Sequence, residues 1–311
     1  MPNGSATRRV AGTEPRRART HRPCGRAAAR LGARGDAGRD RAGRGGRRGD
    51  APRCTEPGLD HRSAEAGEAL VSSGTLYGIG VGPGDPELIT VKGLRLLHAA
   101  HTVFVPVAEV SEISVAETIA SELLRPRQRL ERLVFPMRRT IDERATAWRA
   151  HCDTIVAALA DGNDAAFLVE GDTLTYSTFA HLAETMRLVH PEVTAVAIPG
   201  VTSFVAAAAA AGRTLVDGRE RLVVLAGPYH RGELDAALRI SEALVLMKVS
   251  AQLDTVLDAI EAVGRRDDAT LIERCGWPEQ RIVNDIVSLR GQPIDYFSLI
   301  LVRRAGGRDE S

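Results

Sequence analysis

The 311-residue chain has no apolar run long enough to cross a bilayer or form a secretory core, so no membrane partner is expected. Its four cysteines, Cys24, Cys54, Cys152 and Cys275, are scattered without metal-ligand spacing. That argues against a zinc site and a disulfide framework and suits a reducing cytoplasm. No internal repeat is apparent. Residues 1–70 contain no lysine and almost no aliphatic periodicity, so they lack the pattern from which a core is built.

That first segment nevertheless carries 16 arginines against 8 acidic residues, a balance of about +8, within a chain whose net charge is +1. The remainder holds 25 basic and 32 acidic residues, about −7. Three readings of the arginine-rich segment stand open. It binds nucleic acid, although no aromatic interleaving supports this. It is a transit peptide, although its acidic residues, glycine and proline spoil an amphipathic helix. Or it is a dispensable extension, read from an upstream start. We expect residues 1–72 to be a disordered extension of this last kind, with no nucleic-acid partner, and residues 306–311 to be a polar tail.

From Gly74 onward, short β-type runs alternate with longer helical ones. Ala165–Val169 is wholly apolar and Ile141–Ala160 has helical spacing, a pairing that predicts an α/β architecture with a largely parallel sheet. A polar stretch at 212–221 separates a second set of strands, which include Ala243–Met247 and Phe297–Val302. Two α/β domains are expected, at 73–217 and 218–305.

Three glycine-bearing strand ends carry the chemistry. The first is Gly78-Ile79-Gly80-Val81-Gly82-Pro83-Gly84-Asp85-Pro86-Glu87, in which four glycines let a ligand approach the backbone. A dinucleotide loop would need a third glycine where Asp85 stands, and an aspartate is a poor neighbour for pyrophosphate. A nicotinamide- or flavin-dependent oxidoreductase is therefore a remote alternative, as is a nucleic-acid protein using the basic segment. The second strand end is Glu170-Gly171-Asp172-Thr173-Leu174-Thr175-Tyr176-Ser177-Thr178-Phe179, where Asp172 can accept hydrogen bonds. The third is Pro199-Gly200-Val201-Thr202-Ser203-Phe204, opening a helix of small residues. Asp172, Ser177 and Thr202 also suit plain helix caps. Open parallel sheets place ligands at strand carboxyl ends, so the three loops together predict a crevice.

With Val245-Leu246-Met247-Lys248-Val249, these strings resemble the tetrapyrrole (corrin/porphyrin) methyltransferases, and the resemblance spans Gly74 to Arg304. Tyr176-Ser177-Thr178-Phe179 and Met247-Lys248 favour the members that methylate carbon-20 of precorrin-2 in cobalamin biosynthesis. Other positions on other precorrins, the cobalt-containing analogue or uroporphyrinogen III remain alternatives. The resemblance implies a cleft between the two domains holding S-adenosylmethionine. It places Pro83, Glu170, Gly171, Asp172, Ser177, Thr178, Thr202, Ser203, Ala226, Met247 and Cys275 against the cofactor. Asp85, Tyr176 and Lys248 would meet the tetrapyrrole, with Arg138 and Arg139 as further partners for its carboxylates. Asp172 would orient a ligand or take the proton lost after transfer. A cytoplasmic homodimer without a metal is expected. One departure stands out: the family reads Gly-Asp-Pro where this chain has Thr173, a change expected to loosen the turn.

Overall fold

The computed structural model describes residues 73–108, 113–135 and 141–304. The extension expected at 1–72, the tail expected at 306–311, and the candidates Arg138 and Arg139 all lie outside the described residues.

The chain runs through β1 (Leu76–Gly80), α1 (Val91–Ala99), β2 (Thr102–Ala108), α2 (Val115–Ala120), β3 (Arg129–Phe135), α3 (Ile141–Leu159), β4 (Ala165–Val169), α4 (Thr178–Val189), β5 (Ala195–Ile198) and α5 (Ser203–Ala210). These five strands form a parallel sheet in the order β3-β2-β4-β1-β5. The order explains the uninterrupted apolar character of β4. It lies between two neighbours and under helices on both faces, and all five of its side chains are buried. One face packs Phe104, Phe167 and Phe179 with Ile155 and Leu182. The other packs Ile79, Leu97, Val103, Ile119 and Leu168.

The second half comprises β6 (Leu222–Ala226), α6 (Arg231–Ile240), β7 (Ala243–Met247), α7 (Leu253–Ala262), β8 (Ala269–Glu273), β9 (Arg281–Val283) and β10 (Ser298–Arg303). Its sheet has the order β6-β7-β10-β8-β9, and only β6 and β7 run parallel. The largely parallel arrangement expected from the first half, and found there, is not repeated in the second. β10 enters antiparallel between β7 and β8, and β9 returns antiparallel on β8. A fully apolar strand such as Leu299–Val302 is buried on both faces in either direction, so its residues do not encode its polarity. Helix α6 and strand β9 are additions to the sequence reading. Leu234, Ala237 and Leu238 bury one stripe of α6 at the spacing of a helix face.

The small residues of α5 have a physical purpose. Ala206, Ala207 and Ala208 pack on Val245, Ile272, Leu299 and Leu301 of the second sheet, so the last helix of the first half lies directly on the second. Side chains without bulk allow that close approach, which brings the carboxyl ends of β1, β4 and β5 up to β7, β8 and β10.

Candidate active site

The three glycine loops are bound to one another through backbone. Gly82 and Gly171 exchange hydrogen bonds, Gly82 N donating to Gly171 O at 3.2 Å and Gly171 N to Gly82 O at 2.8 Å. A Cβ on Gly80 would lie 2.8 Å from both the Cα and the N of Gly200, so only glycine fits there. Asp172 completes the clasp. Its Oδ2 accepts from Gly200 N at 3.1 Å, while its Oδ1 accepts from Leu174 N at 3.0 Å and Thr175 Oγ1 at 2.9 Å. The first loop is tied to the second half as well. Trp277 Nε1 donates to Pro83 O at 2.9 Å, and a Cβ on Gly276 would come within 2.7 Å of Asp85 N.

Around this clasp lies a cavity of about 900 Å³ including its open mouth. It brings together Pro83, Glu170, Gly171, Asp172, Tyr176, Thr202, Ser203, Met247, Lys248 and Cys275 from the sequence reading. Sequence reasoning missed Thr175, Phe204, Ile272, Tyr296, Phe297, Ser298 and Leu299, which also line it. The residues from 296 onward arrive because β10 is threaded between β7 and β8, a long-range pairing with no local signal.

Four candidates lie elsewhere. Ser177 and Thr178 line an adjoining cavity with Pro106, Val107, Ala108 and Phe135, and not the first one. Ser177 Oγ accepts from Phe179 N at 3.1 Å and caps α4, the simpler of its two readings. Ala226 pairs in register with Met247 but does not line the cavity. Asp85 caps the short turn at Pro86–Leu88 by accepting from Glu87 N at 2.8 Å, also outside the cavity. That turn separates the loop from α1, which is capped by Thr90. A pyrophosphate would therefore find no long helix N-terminus at this loop, and the nicotinamide alternative loses its geometric basis.

Thr202 is the most telling residue of the site. It occupies the N-cap position of α5, yet its side chain makes no capping bond. Its Oγ1 is buried without a partner in the cavity wall. A buried hydroxyl without a hydrogen bond costs about 1–3 kcal/mol, so its place in the wall suits a ligand that would satisfy it. The cap reading of Thr202 is thus replaced. Thr173, in place of proline, is also buried. Its backbone N–H acts on the Asp172 carboxylate, a donor that proline would remove.

Charge in the site is sparse and unequal. Burial pulls the Asp172 carboxyl upward, but hydrogen bonds from Leu174, Gly200, Thr175 and Thr173 outweigh it and hold the group below the usual carboxylate range. The Glu170 carboxyl goes the other way. Burial pushes it up to about 7, with Lys248 pulling against the rise. Burial also pushes the Cys275 thiol up to about 11, which leaves it neutral and a poor nucleophile. Tyr176 and Lys248 hold left-handed backbone, at φ 52° and 59°, in the cavity wall. Non-glycine residues in that region store strain of order 1–3 kcal/mol and cluster at functional sites.

Fold and site together define an α/β protein with a ligand-sized cavity at the carboxyl ends of parallel strands, between two sheets. The chain belongs to the tetrapyrrole (corrin/porphyrin) methylases, whose family model matches residues 75–288. It is 35% identical over 251 residues to the cobalamin biosynthesis protein CobIJ of Mycobacterium tuberculosis, with 77% of this chain and 47% of the relative covered. The chain thus spans about half the length of the mycobacterial CobIJ relatives it matches. It is 34% identical over 240 residues to the precorrin-2 C(20)-methyltransferase of a Sinorhizobium species, covering 75% of this chain and 96% of that one. Among solved structures, the uroporphyrin-III C-methyl transferase of Thermus thermophilus, complexed with S-adenyl homocysteine, superposes with a TM-score of 0.54. Its identity is 21%, with 74% of this chain and 98% of that one covered, a likeness of fold.

Proposed function

We propose that this chain transfers the methyl group of S-adenosylmethionine to carbon-20 of precorrin-2 or its cobalt counterpart, in corrin biosynthesis. The observation that carries the acceptor assignment is the match to nearly the full length of a relative named for that reaction. A relative from Salmonella typhimurium named cobalt-precorrin-2 C(20)-methyltransferase is 30% identical, with 97% of its length covered.

The residues present fit the cofactor. The unpartnered Thr202 hydroxyl offers a polar contact, while Pro83, Met247, Ile272 and Leu299 supply a largely apolar wall. When bound, the cofactor supplies an already activated electrophilic methyl group. The chain's own task is then to hold donor and acceptor in line and keep water out. The adjoining cavity, about 1140 Å³ including its mouth and lined by Val107, Phe135, Tyr176 and Phe297, has the apolar walls that a macrocycle face needs. Lys248, exposed on the wall of the first cavity, is suited to an acceptor carboxylate.

The proposal extends to two domains meeting near residues 217 and 218, and to a homodimer in the cytoplasm. The family resemblance supports the dimer, the two separate five-stranded sheets support the two domains, and free Cys152 and Cys275 suit the cytoplasm. No helix among the described residues is long and apolar enough to cross a membrane. Incubation of the purified protein with labelled S-adenosylmethionine and precorrin-2 or cobalt-factor II tests the reading. One methyl group per acceptor is expected. Binding of NAD without binding of S-adenosylhomocysteine would end it.

A further inference from the structure

Methylation of a meso carbon that carries hydrogen leaves one proton to be removed before the macrocycle regains its conjugation. We propose that Glu170 is the catalytic base that takes this proton, an assignment that rests on the methyl-transfer reading above.

The geometry singles out Glu170. The two adjoining cavities share four residues, Glu170, Tyr176, Tyr296 and Phe297. A donor in the first cavity and an acceptor in the second meet at that shared wall, so the reacting carbon lies beside these side chains. Glu170 alone among the four carries a carboxylate. It stands directly at the end of β4, where the strand sets its position. Its side chain makes no hydrogen bond to another described residue, so its oxygens are available to a ligand.

Asp172, the other carboxylate of the site, is occupied. It accepts from Gly200, Leu174 and Thr175 and is held below the ordinary carboxylate range, which makes it a weak base committed to the loops. The groups facing Glu170 from the surrounding elements are Lys248, Asp172, Cys275, Tyr176 and Tyr296. Lys248 is the one cation among the described residues that line the two cavities. Burial raises Glu170 to about 7 and Lys248 opposes the rise, so at neutral pH the group is present in comparable amounts as a base and as its acid, and can both take up and release a proton.

The electron pair of the acceptor carbon forms the new C–C bond while the S–CH3 bond breaks and leaves its pair on sulfur. The macrocycle is then an iminium-type cation with hydrogen still on the methylated carbon. That C–H bond breaks, its pair returns to the conjugated system, and the proton passes to a Glu170 oxygen. The carboxylic acid so formed releases it to water through the open mouth.

Glu170→Gln keeps the shape and removes the base. The expected result is a fall in turnover of about 10²- to 10⁴-fold with S-adenosylhomocysteine affinity nearly unchanged by calorimetry. Deuterium at the acceptor carbon should slow the variant more than the parent. In the parent, kcat should rise with pH through an apparent pKa near 7. The Gln variant should lose that rise, and Glu170→Asp should regain part of it. If the parent methylates the acceptor and the Gln variant does so equally fast, Glu170 is not the base and the methyl-transfer reading stands. A variant that loses cofactor affinity while keeping its single-turnover rate would make Glu170 a positioning residue and overturn the assignment. A parent that methylates no tetrapyrrole overturns both. Should the Gln variant fail to fold, the parent's pH profile decides: a flat kcat between pH 5 and 8 rejects the base.

Discussion

Asp172 accepts the backbone N–H of Gly200 across 28 positions of sequence, at 3.1 Å, and so fastens the second strand-end loop to the third. Its other oxygen accepts from Leu174 and Thr175 within its own loop. In Asp172→Asn one of these oxygens becomes an amide nitrogen that faces a donor. We expect a loss of stability of about 1–3 kcal/mol together with reduced transfer, measured by thermal melting and by the methyl-transfer assay. Melting that matches the parent would show that the clasp is dispensable.

The same carboxylate sets an acid limit. Its folded-state pKa is depressed, so its contribution to stability is complete above the ordinary aspartate value of about 3.9 and is lost as pH falls through the folded value. Melting temperature against pH should therefore fall less steeply in acid for Asp172→Asn than for the parent.

Glu170 produces the opposite dependence. Its folded-state pKa of about 7 lies above the unfolded value of about 4.3, so between them the native state holds a proton that the unfolded state has released. Stability is lost as pH rises through this window, and the cost is complete above it. Glu170→Gln should melt higher than the parent at pH 8, with the difference vanishing near pH 4. An equal difference at both pH values would place the carboxyl in ordinary surroundings.

Thr202→Ala separates a ligand contact from a helix cap. The hydroxyl makes no cap bond and is unsatisfied without a ligand, so melting of the ligand-free protein should not fall while S-adenosylhomocysteine affinity falls about fivefold, which is the loss of about 1 kcal/mol of hydrogen bonding. A drop in melting with unchanged affinity would restore the cap.

Two glycines should respond in opposite senses. Gly80→Ala forces a methyl group to 2.8 Å from the Gly200 backbone, and overpacking of this kind costs about 1–3 kcal/mol. Gly232 lies in the first turn of α6 with nothing within 4 Å of an added Cβ. There alanine should stabilise by about 0.5–1 kcal/mol. Chemical denaturation of both variants reads the two signs.

The first half and its three loops were legible because glycine at a strand end leaves a local mark, as Gly80, Gly171 and Gly200 do. Thr202 was legible as a position, but its role was not, because the choice between cap and ligand contact depends on where the hydroxyl points. The second half was harder. Leu234, Ala237 and Leu238 do mark α6, and the spacing was there to be read. Arg281–Val283 is too short and too exposed to announce a strand. The placing of Tyr296 and Phe297 against Glu170 depends on β10 pairing with β7 and β8, dozens of residues away. No pattern within the segment carries that pairing. The division of labour between the two carboxylates was likewise hidden. Glu170 and Asp172 are two residues apart, and only their surroundings separate a half-buried carboxylate without a hydrogen bond from a hydrogen-bonded one.

The bond from Trp277 to the carbonyl of Pro83 gives the protein a built-in optical probe. The chain has two tryptophans, and the other, Trp148, packs with Phe135 and His181 in the first half. Trp277 instead rests beneath the guanidinium of Arg274 at 5.7 Å and is coupled to the loop that walls the cavity. Its emission therefore registers any ligand that shifts Pro83. With Trp148 replaced by phenylalanine, filling of the site becomes visible in the protein's own fluorescence, without a label on either ligand.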